Sequence, residues 1–241
     1  MDFVNIKTPH IKVGDTPFTK TVLMPGDPKR AEFISDTFLT DVKVISDVRG
    51  IKAYRGKYNG TDVTVMASGM GMASMGIYSH ELFNTFGVEN IIRIGTAGAI
   101  SKKAELGDLV IGLGACTDGG YVTSAVKNGN FAPIADFSLV SALFESAKKN
   151  CDGKNIYVGN VASQDRFYNE NTLSWEKFGV LAVEMEAAAL FLEAQMAGKK
   201  AACICTISDL VYDLSKELSI EERQTGLVRM IKTALDAAVT L

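Results

Sequence analysis

Two spacings of apolar residues alternate along the chain. Short runs of β-branched and aliphatic residues, such as Ala201-Ala202-Cys203-Ile204-Cys205-Thr206-Ile207-Ser208, are followed by stretches in which apolar positions return every three or four residues. The first spacing suits a buried strand and the second one stripe of a helix. Strands are predicted at Thr21 to Met24, Val42 to Ser46, Ala53 to Tyr58, Thr61 to Ala67, Ile91 to Gly95, Leu109 to Gly114, Tyr157 to Val161, Leu181 to Val183 and Ala201 to Ser208. Helices are predicted at Pro28 to Ser35, Ala73 to Phe86, Leu139 to Lys149, Glu186 to Met196 and Ile220 to Ala238. Alternation of this kind predicts an α/β class, a three-layer α/β/α single domain over residues 1–241 around a central sheet. Asn59-Gly60 is a hairpin turn dipeptide, so the sheet is mixed rather than wholly parallel. Repeats, low-complexity tracts and Pro/Ser-rich linkers are missing, which supports one core.

Composition narrows the class. With 241 residues, 47% hydrophobic and 22% charged, the chain carries too much apolar material for disorder. Its 25 basic and 28 acidic side chains leave a net charge of -3 without a basic block, which argues against a nucleic-acid partner. Val63 to Ser79 is free of charge but is broken by Gly69, Gly71 and Gly76, so no membrane span is expected. The N-terminal residues lack a signal-peptide pattern, and a cytoplasmic location is expected. Cys116, Cys151, Cys203 and Cys205 form no CxxC pair and read as reduced core thiols.

Chemistry gathers where predicted strands end. In Met24-Pro25-Gly26-Asp27-Pro28-Lys29-Arg30 a strand enters a turn, then an Asp suited to capping and a Pro suited to a first helical position. Lys29 and Arg30 then fall at the positive end of the helix, where cations are disfavoured unless an anion is held there, although a solvated basic pair fits the segment equally well. Arg93 interrupts an apolar strand and needs a carboxylate or a bound anion as partner; the following Gly95-Thr96-Ala97-Gly98 is expected to be a loop open to close approach. Glu184 and Glu186 flank Met185 before an Ala-rich helix: one carboxylate grips adjacent sugar hydroxyls beside an apolar methionine, and the other pairs with a structural arginine. Asp209 closes the apolar run from Ala201 and reads as a general acid or as a helix cap. Gly69-Met70-Gly71-Met72-Ala73-Ser74 is only part of a dinucleotide fingerprint, so no nicotinamide cofactor is expected. His10 and His80 are too few for a histidine metal site, and no metal is expected.

These segments, with Val48-Arg49-Gly50 and Glu222-Arg223-Gln224-Thr225, occur in an order that resembles the bacterial-type, hexameric purine nucleoside phosphorylases. The likeness runs from Thr8 almost to the C-terminus. It implies a nucleoside phosphorylase-like fold and cleavage of purine (deoxy)ribonucleosides by inorganic phosphate, a co-substrate, to free base and α-pentose 1-phosphate. It further implies that Gly26, Arg30, Arg93 and Thr96 bind phosphate and that Arg49 is added by a neighbouring subunit of a hexamer built as a trimer of dimers. Glu186 would hold the ribose hydroxyls, with Met185 and Met70 packed on the sugar and Glu184 beside them. His10 would reach across the dimer interface to the 5'-hydroxyl. Phe167 and Val183 would border the base, with Ser208 close by; Asp209 would donate a proton to purine N7 and Arg223 would swing in to pair with it.

Departures from the family pattern are small. Thr96 stands where many members have serine, the stretch from Phe167 to Trp175 is shortened, and one residue is added between Asp209 and Arg223. A uridine phosphorylase is the nearest rival, but Phe167-Tyr168-Asn169-Glu170-Asn171-Thr172 lacks the Gln-x-Arg element that follows the Phe-Tyr pair in those enzymes. A methylthioadenosine-type nucleosidase would use water and would not need Arg30, Arg49 and Arg93 together. A non-catalytic nucleoside-binding protein would have no use for both Asp209 and Arg223.

Overall fold

The computed structural model describes residues 3–126, 129–150, 152–225 and 227–241, the side chains of 224 and 225 excepted. The elements run β1 (Thr21–Pro25), α1 (Pro28–Phe38), β2 (Thr40–Val48), β3 (Ile51–Tyr58), β4 (Thr61–Met66), α2 (Met72–Thr85), β5 (Asn90–Ala99), β6 (Leu109–Thr117), α3 (Gly120–Thr123) and α4 (Phe137–Asn150). They continue with β7 (Ile156–Ser163), a 3-10 helix (Thr172–Phe178), β8 (Ala182–Glu184), α5 (Ala187–Met196), β9 (Lys200–Leu210), β10 (Asp213–Glu217), α6 (Ile220–Thr225) and α7 (Val228–Ala238). All the strands expected from the apolar pattern are present. The Asn59-Gly60 turn forms as read, with both residues at positive φ (51° and 82°) between the antiparallel β3 and β4.

The strands join one mixed sheet in the order β10-β9-β6-β7-β8-β5-β1-β4-β3-β2, with a further pairing of β9 on β5. That pairing matters for the site. One edge of β5 carries β9 along its length, and the other carries β1 and then β8. Strands β5, β9, β6, β7 and β8 therefore close into a ring, whereas β1, β4, β3 and β2 extend from it as an open wing. Helix α2 packs on α5, and α4 on α7, over a core that includes the fully buried Leu23, Ile92, Ile204, Leu190 and Leu235. Each such side chain contributes roughly 1.5–3 kcal/mol through removal from water.

Two departures from the expected elements have physical causes. Strand β10 has a mostly exposed, polar sequence and pairs only with β9 at the sheet edge, so no apolar pattern announces it. The helix expected over Ile220 to Ala238 is two helices, α6 and α7; Gly226 lies outside the described residues, and Leu227 precedes α7 at φ -92° and ψ 32°. Helix α7 buries Met230, Ile231, Ala234 and Leu235, whereas Glu221 and Glu222 of α6 are exposed. The two halves continue one spacing but answer to different surroundings.

Candidate active site

At the carboxyl end of β1 the chain turns at Gly26 and enters α1. Asp27 caps the helix, its side chain accepting from the Lys29 amide at 2.8 Å, and Pro28 occupies the first turn. The two cations of that turn then separate: Lys29 is exposed and Arg30 is buried. Arg30 Nη2 donates to the main-chain carbonyl of Arg223 at 2.5 Å, while Arg30 Nε is buried with no acceptor among the described residues. Burial pulls the Arg30 pKa down to about 10, with the charge of Arg93 adding to the effect and Asp27 opposing it. The Arg93 charge thus lies within electrostatic reach of Arg30, an arrangement an oxyanion would relieve.

Arg93 is 3% exposed and is clamped by the two glutamates. Its Nε donates to Glu184 Oε2 at 2.7 Å and its Nη2 lies 2.5 Å from Glu186 Oε2. Burial works against the charge, but Glu186 and Glu184 outweigh it and hold the Arg93 pKa well above the ordinary value. Glu186 also accepts the Gly71 amide at 2.6 Å. The glycine run read as part of a dinucleotide motif therefore serves as the β4-to-α2 turn that presents its amide to this carboxylate. Glu184, expected beside the nucleoside, is engaged within the chain: its oxygens take Arg93, Ser163 Oγ and the amides of Glu186 and Ala187, leaving it sealed in the protein. A carboxylate so placed caps the start of α5.

The expected loop at Gly95 to Gly98 is corrected as well. These residues continue β5 and pair with β9, so their amides belong to the sheet. Missing side chains matter here instead. A Cβ on Gly95 would lie 2.8 Å from the Arg93 guanidinium carbon, and one on Gly98 would lie 2.6 Å from Asp209 Oδ2. Thr96 is half-buried opposite Thr206.

Asp209 is aimed by a bulge. Ala97 opposes Ile207 and Gly98 opposes Asp209, so Ser208 is an extra residue in β9 and the alternation of faces is reset there. Ser208 Oγ donates to Asp209 Oδ1 at 2.7 Å, and Arg223 Nη1 reaches the same oxygen at 3.2 Å and Ser208 Oγ at 3.1 Å. Arg223 is held from behind by Glu217 at 3.0 Å and by the Leu218 carbonyl at 3.2 Å. The Asp209–Arg223 contact expected to form by a swing is already made in this structure.

The apolar candidates lie around these groups. Val183 and Met185 are half-buried on either side of Glu184, and Val183 comes within 3.3 Å of where a Gly98 side chain would begin. Met70 is 82% exposed on the turn that binds Glu186, and Phe167 is 69% exposed on the segment after β7. His10 and Arg49 are not brought to this pocket within the chain. His10 Nδ1 lies 2.7 Å from Glu81 Oε1, and Arg49 stands exposed at the β2–β3 turn, with φ 57°, where its charge is felt by Tyr78 of α2. His10 and Tyr78 meet edge to face, so the two candidates share one surface. Sequence reasoning missed Ser163, Gly71 and Glu217, whose partners are distant in the chain. Of the cysteines, Cys116, Cys203 and Cys205 are free, Cys203 and Cys205 side by side in β9 with sulfurs 3.6 Å apart; Cys151 lies outside the described residues. Among the described residues no cluster of His, Cys, Asp and Glu is placed to hold a metal ion, and no helix is long and apolar enough to cross a membrane.

Buried arginines on α1 and β5, a carboxylate after β8 held by a turn amide, and an acid near the end of β9 paired with a guanidinium gather titratable groups of the kind an α/β enzyme uses. The chain belongs to the phosphorylase superfamily, whose family model matches residues 20–241. It is 47% identical over 237 residues to a DeoD-type purine nucleoside phosphorylase of Shewanella frigidimarina, covering 97% of this chain and 99% of that relative. A DeoD-type purine nucleoside phosphorylase of Shewanella denitrificans is 46% identical with the same coverage. Among solved structures, uridine phosphorylase from Vibrio fischeri superposes with a TM-score of 0.85 at 26% identity, over 98% of both chains.

Proposed function

We infer that this chain is a purine nucleoside phosphorylase, a pentosyltransferase that converts purine ribo- and deoxyribonucleosides and phosphate to free base and α-pentose 1-phosphate. The observation that carries the reading is that Arg223 touches both ends of the site, its carbonyl taking Arg30 and its guanidinium taking Asp209. Identity of 47% over nearly the whole chain to a relative named as a purine nucleoside phosphorylase supports purine over the pyrimidine named for the structural neighbour.

Phosphate rests against Gly26, Arg30, Arg93 and Thr96, and Arg30 Nε finds in it the acceptor that the described residues do not supply. Glu186 holds the ribose hydroxyls, with Met70 and Met185 against the sugar, Val183 and Phe167 beside the base, and Ser208 next to the acid. Departure of the base leaves positive charge on C1' and the ring oxygen, which the phosphate dianion stabilises from below. A phosphate oxygen forms the new bond to C1' while the electrons of the C1'–N9 bond pass to the purine. Asp209 delivers its proton to N7, and Arg223 favours the carboxylate left behind. No resident cofactor takes part in this scheme; phosphate is consumed.

His10 and Arg49 complete the site of a neighbouring subunit, in a hexamer assembled as a trimer of dimers. Their shared, accessible surface and their distance along the fold from Arg30 and Arg93 support this arrangement. The enzyme works in the cytoplasm, where buried free thiols such as Cys203 and Cys205 stay reduced.

The test is incubation with inosine, adenosine and uridine, with and without phosphate, and identification of the sugar product. Phosphate-dependent release of purine base with pentose 1-phosphate is expected. Free pentose formed without phosphate would identify a nucleosidase, cleavage of uridine alone a uridine phosphorylase, and binding without turnover a non-catalytic protein.

A further inference from the structure

The segment that carries Phe167 and Tyr168 leaves β7 beside the sealed Glu184 and is almost wholly exposed from Asp165 to Asn171. An exposed aromatic pair, here edge to face with centroids 5.1 Å apart, has little packing of its own to hold it in place. What holds the segment is an amide. Gln164 is 2% exposed and sits between Ser163, which donates to Glu184, and the segment itself. Its Nε2 donates to Asp118 Oδ2 at 3.0 Å, and its Oε1 accepts from Thr172 Oγ1 at 2.7 Å. The orientation is dictated by chemistry, because a carboxylate can only accept and so takes the NH2 end. Asn169 Nδ2 also donates to Asp118 Oδ2, at 3.1 Å. Both ends of the segment and its middle therefore hang on one Gln–Asp pair.

Asp118 is itself fixed. It follows β6, where Thr117 Oγ1 accepts the Gly119 amide at 2.9 Å, and a side chain on Gly119 would meet Asp165 Oδ2 at 2.6 Å. Just beyond, Tyr121 donates to the buried Glu193 of α5 at 2.6 Å. The turn after β6 is anchored to the helix layer and passes that anchorage to the segment after β7.

We propose that Gln164 and Asp118 are positioning residues that set the base side of the pocket, holding the Phe167–Tyr168 segment in place and so governing affinity for the heterocycle without touching phosphate. The proposal rests on the phosphorylase reading above and deepens it. It assigns to Gln164 a role that its residue type alone does not announce.

The experiment compares Gln164→Leu, Gln164→Glu and the double variant Gln164→Glu/Asp118→Asn. Gln164→Leu keeps the bulk and removes both hydrogen bonds, so KM for inosine and adenosine should rise about tenfold while kcat and KM for phosphate stay within about twofold. Gln164→Glu sets a carboxylate against Asp118 and should be impaired as much. Adding Asp118→Asn restores a donor between the two positions and should bring KM back to within about threefold of the parent. Unchanged nucleoside KM in Gln164→Leu, an equal loss on phosphate, or no recovery in the double variant would overturn the proposal. If Gln164→Leu does not fold, the two Glu variants decide it. A parent protein without phosphorolysis would instead defeat the functional reading; amide exchange at residues 165–171, expected to quicken in Gln164→Leu and Gln164→Glu, then still tests the positioning role, and unchanged exchange there overturns it.

Discussion

Arg30 Nη2 donates to the main-chain carbonyl of Arg223 at 2.5 Å across 193 residues of sequence. The side chain of the same Arg223 meets Asp209 at 3.2 Å. Helix α6 is thus tied at its backbone to Arg30 of α1 and at its side chain to Asp209 of β9. On the proposed reading, phosphate and α6 both draw on Arg30, so phosphate binding and the position of α6 are expected to be linked.

Arg30→Ala removes the proposed phosphate donor and the tether together. KM for phosphate should rise at least about tenfold, as expected for loss of a charge-assisted hydrogen bond. Amides of Ile220 to Arg223 should exchange faster. Phosphate, which binds only the folded chain, should raise the Tm of the parent and lose most of that effect in the variant. A normal phosphate-induced shift in Arg30→Ala would remove Arg30 from the anion site.

Asp209→Asn retains the shape of the side chain and withholds the acid. Turnover of adenosine should fall by about 10²–10⁴, the usual worth of a general acid, with KM for phosphate nearly unchanged. Single-turnover rates measure this directly, and loss of phosphate affinity with normal turnover would contradict the assignment.

Gly98→Ala places a methyl where Asp209 Oδ2 and Val211 Cγ2 lie 2.6 and 2.9 Å away. The carboxylate must shift from the position that the Ser208 bulge gives it. The strain should cost about 1–3 kcal/mol of stability, read from urea midpoints, and kcat should drop while KM for phosphate holds.

Tyr58 gives a pH dependence of known sign. Burial, and then its hydrogen bond to Asp236 at 2.8 Å, push its pKa from 10.0 to about 12. The folded chain keeps this proton after the unfolded chain has lost it, so the contribution is full below pH 10 and disappears as pH rises through about 12. Urea midpoints should fall from pH 9 to pH 11, and less steeply in Tyr58→Phe.

The spacing of apolar residues was enough to place every strand but the exposed β10, because burial on a pleated sheet needs only a local pattern. The Asn59-Gly60 hairpin and the Asp27-Pro28 helix start were equally legible, since a turn and a cap depend on adjacent residues. That Arg93 needed a partner also followed from residue type, because charge in an apolar strand must be neutralised wherever it sits; that both Glu184 and Glu186 pair with it did not. Which glutamate is sealed was decided by Ser163 and the first amides of α5, and these approach Glu184 only in the folded chain. The closing of β5 on β9, the bulge that aims Asp209, the division of the last helix and the Gln164–Asp118 tie all depend on contacts between residues far apart in sequence. No local pattern records such contacts; they exist only when packing brings the partners within hydrogen-bond range.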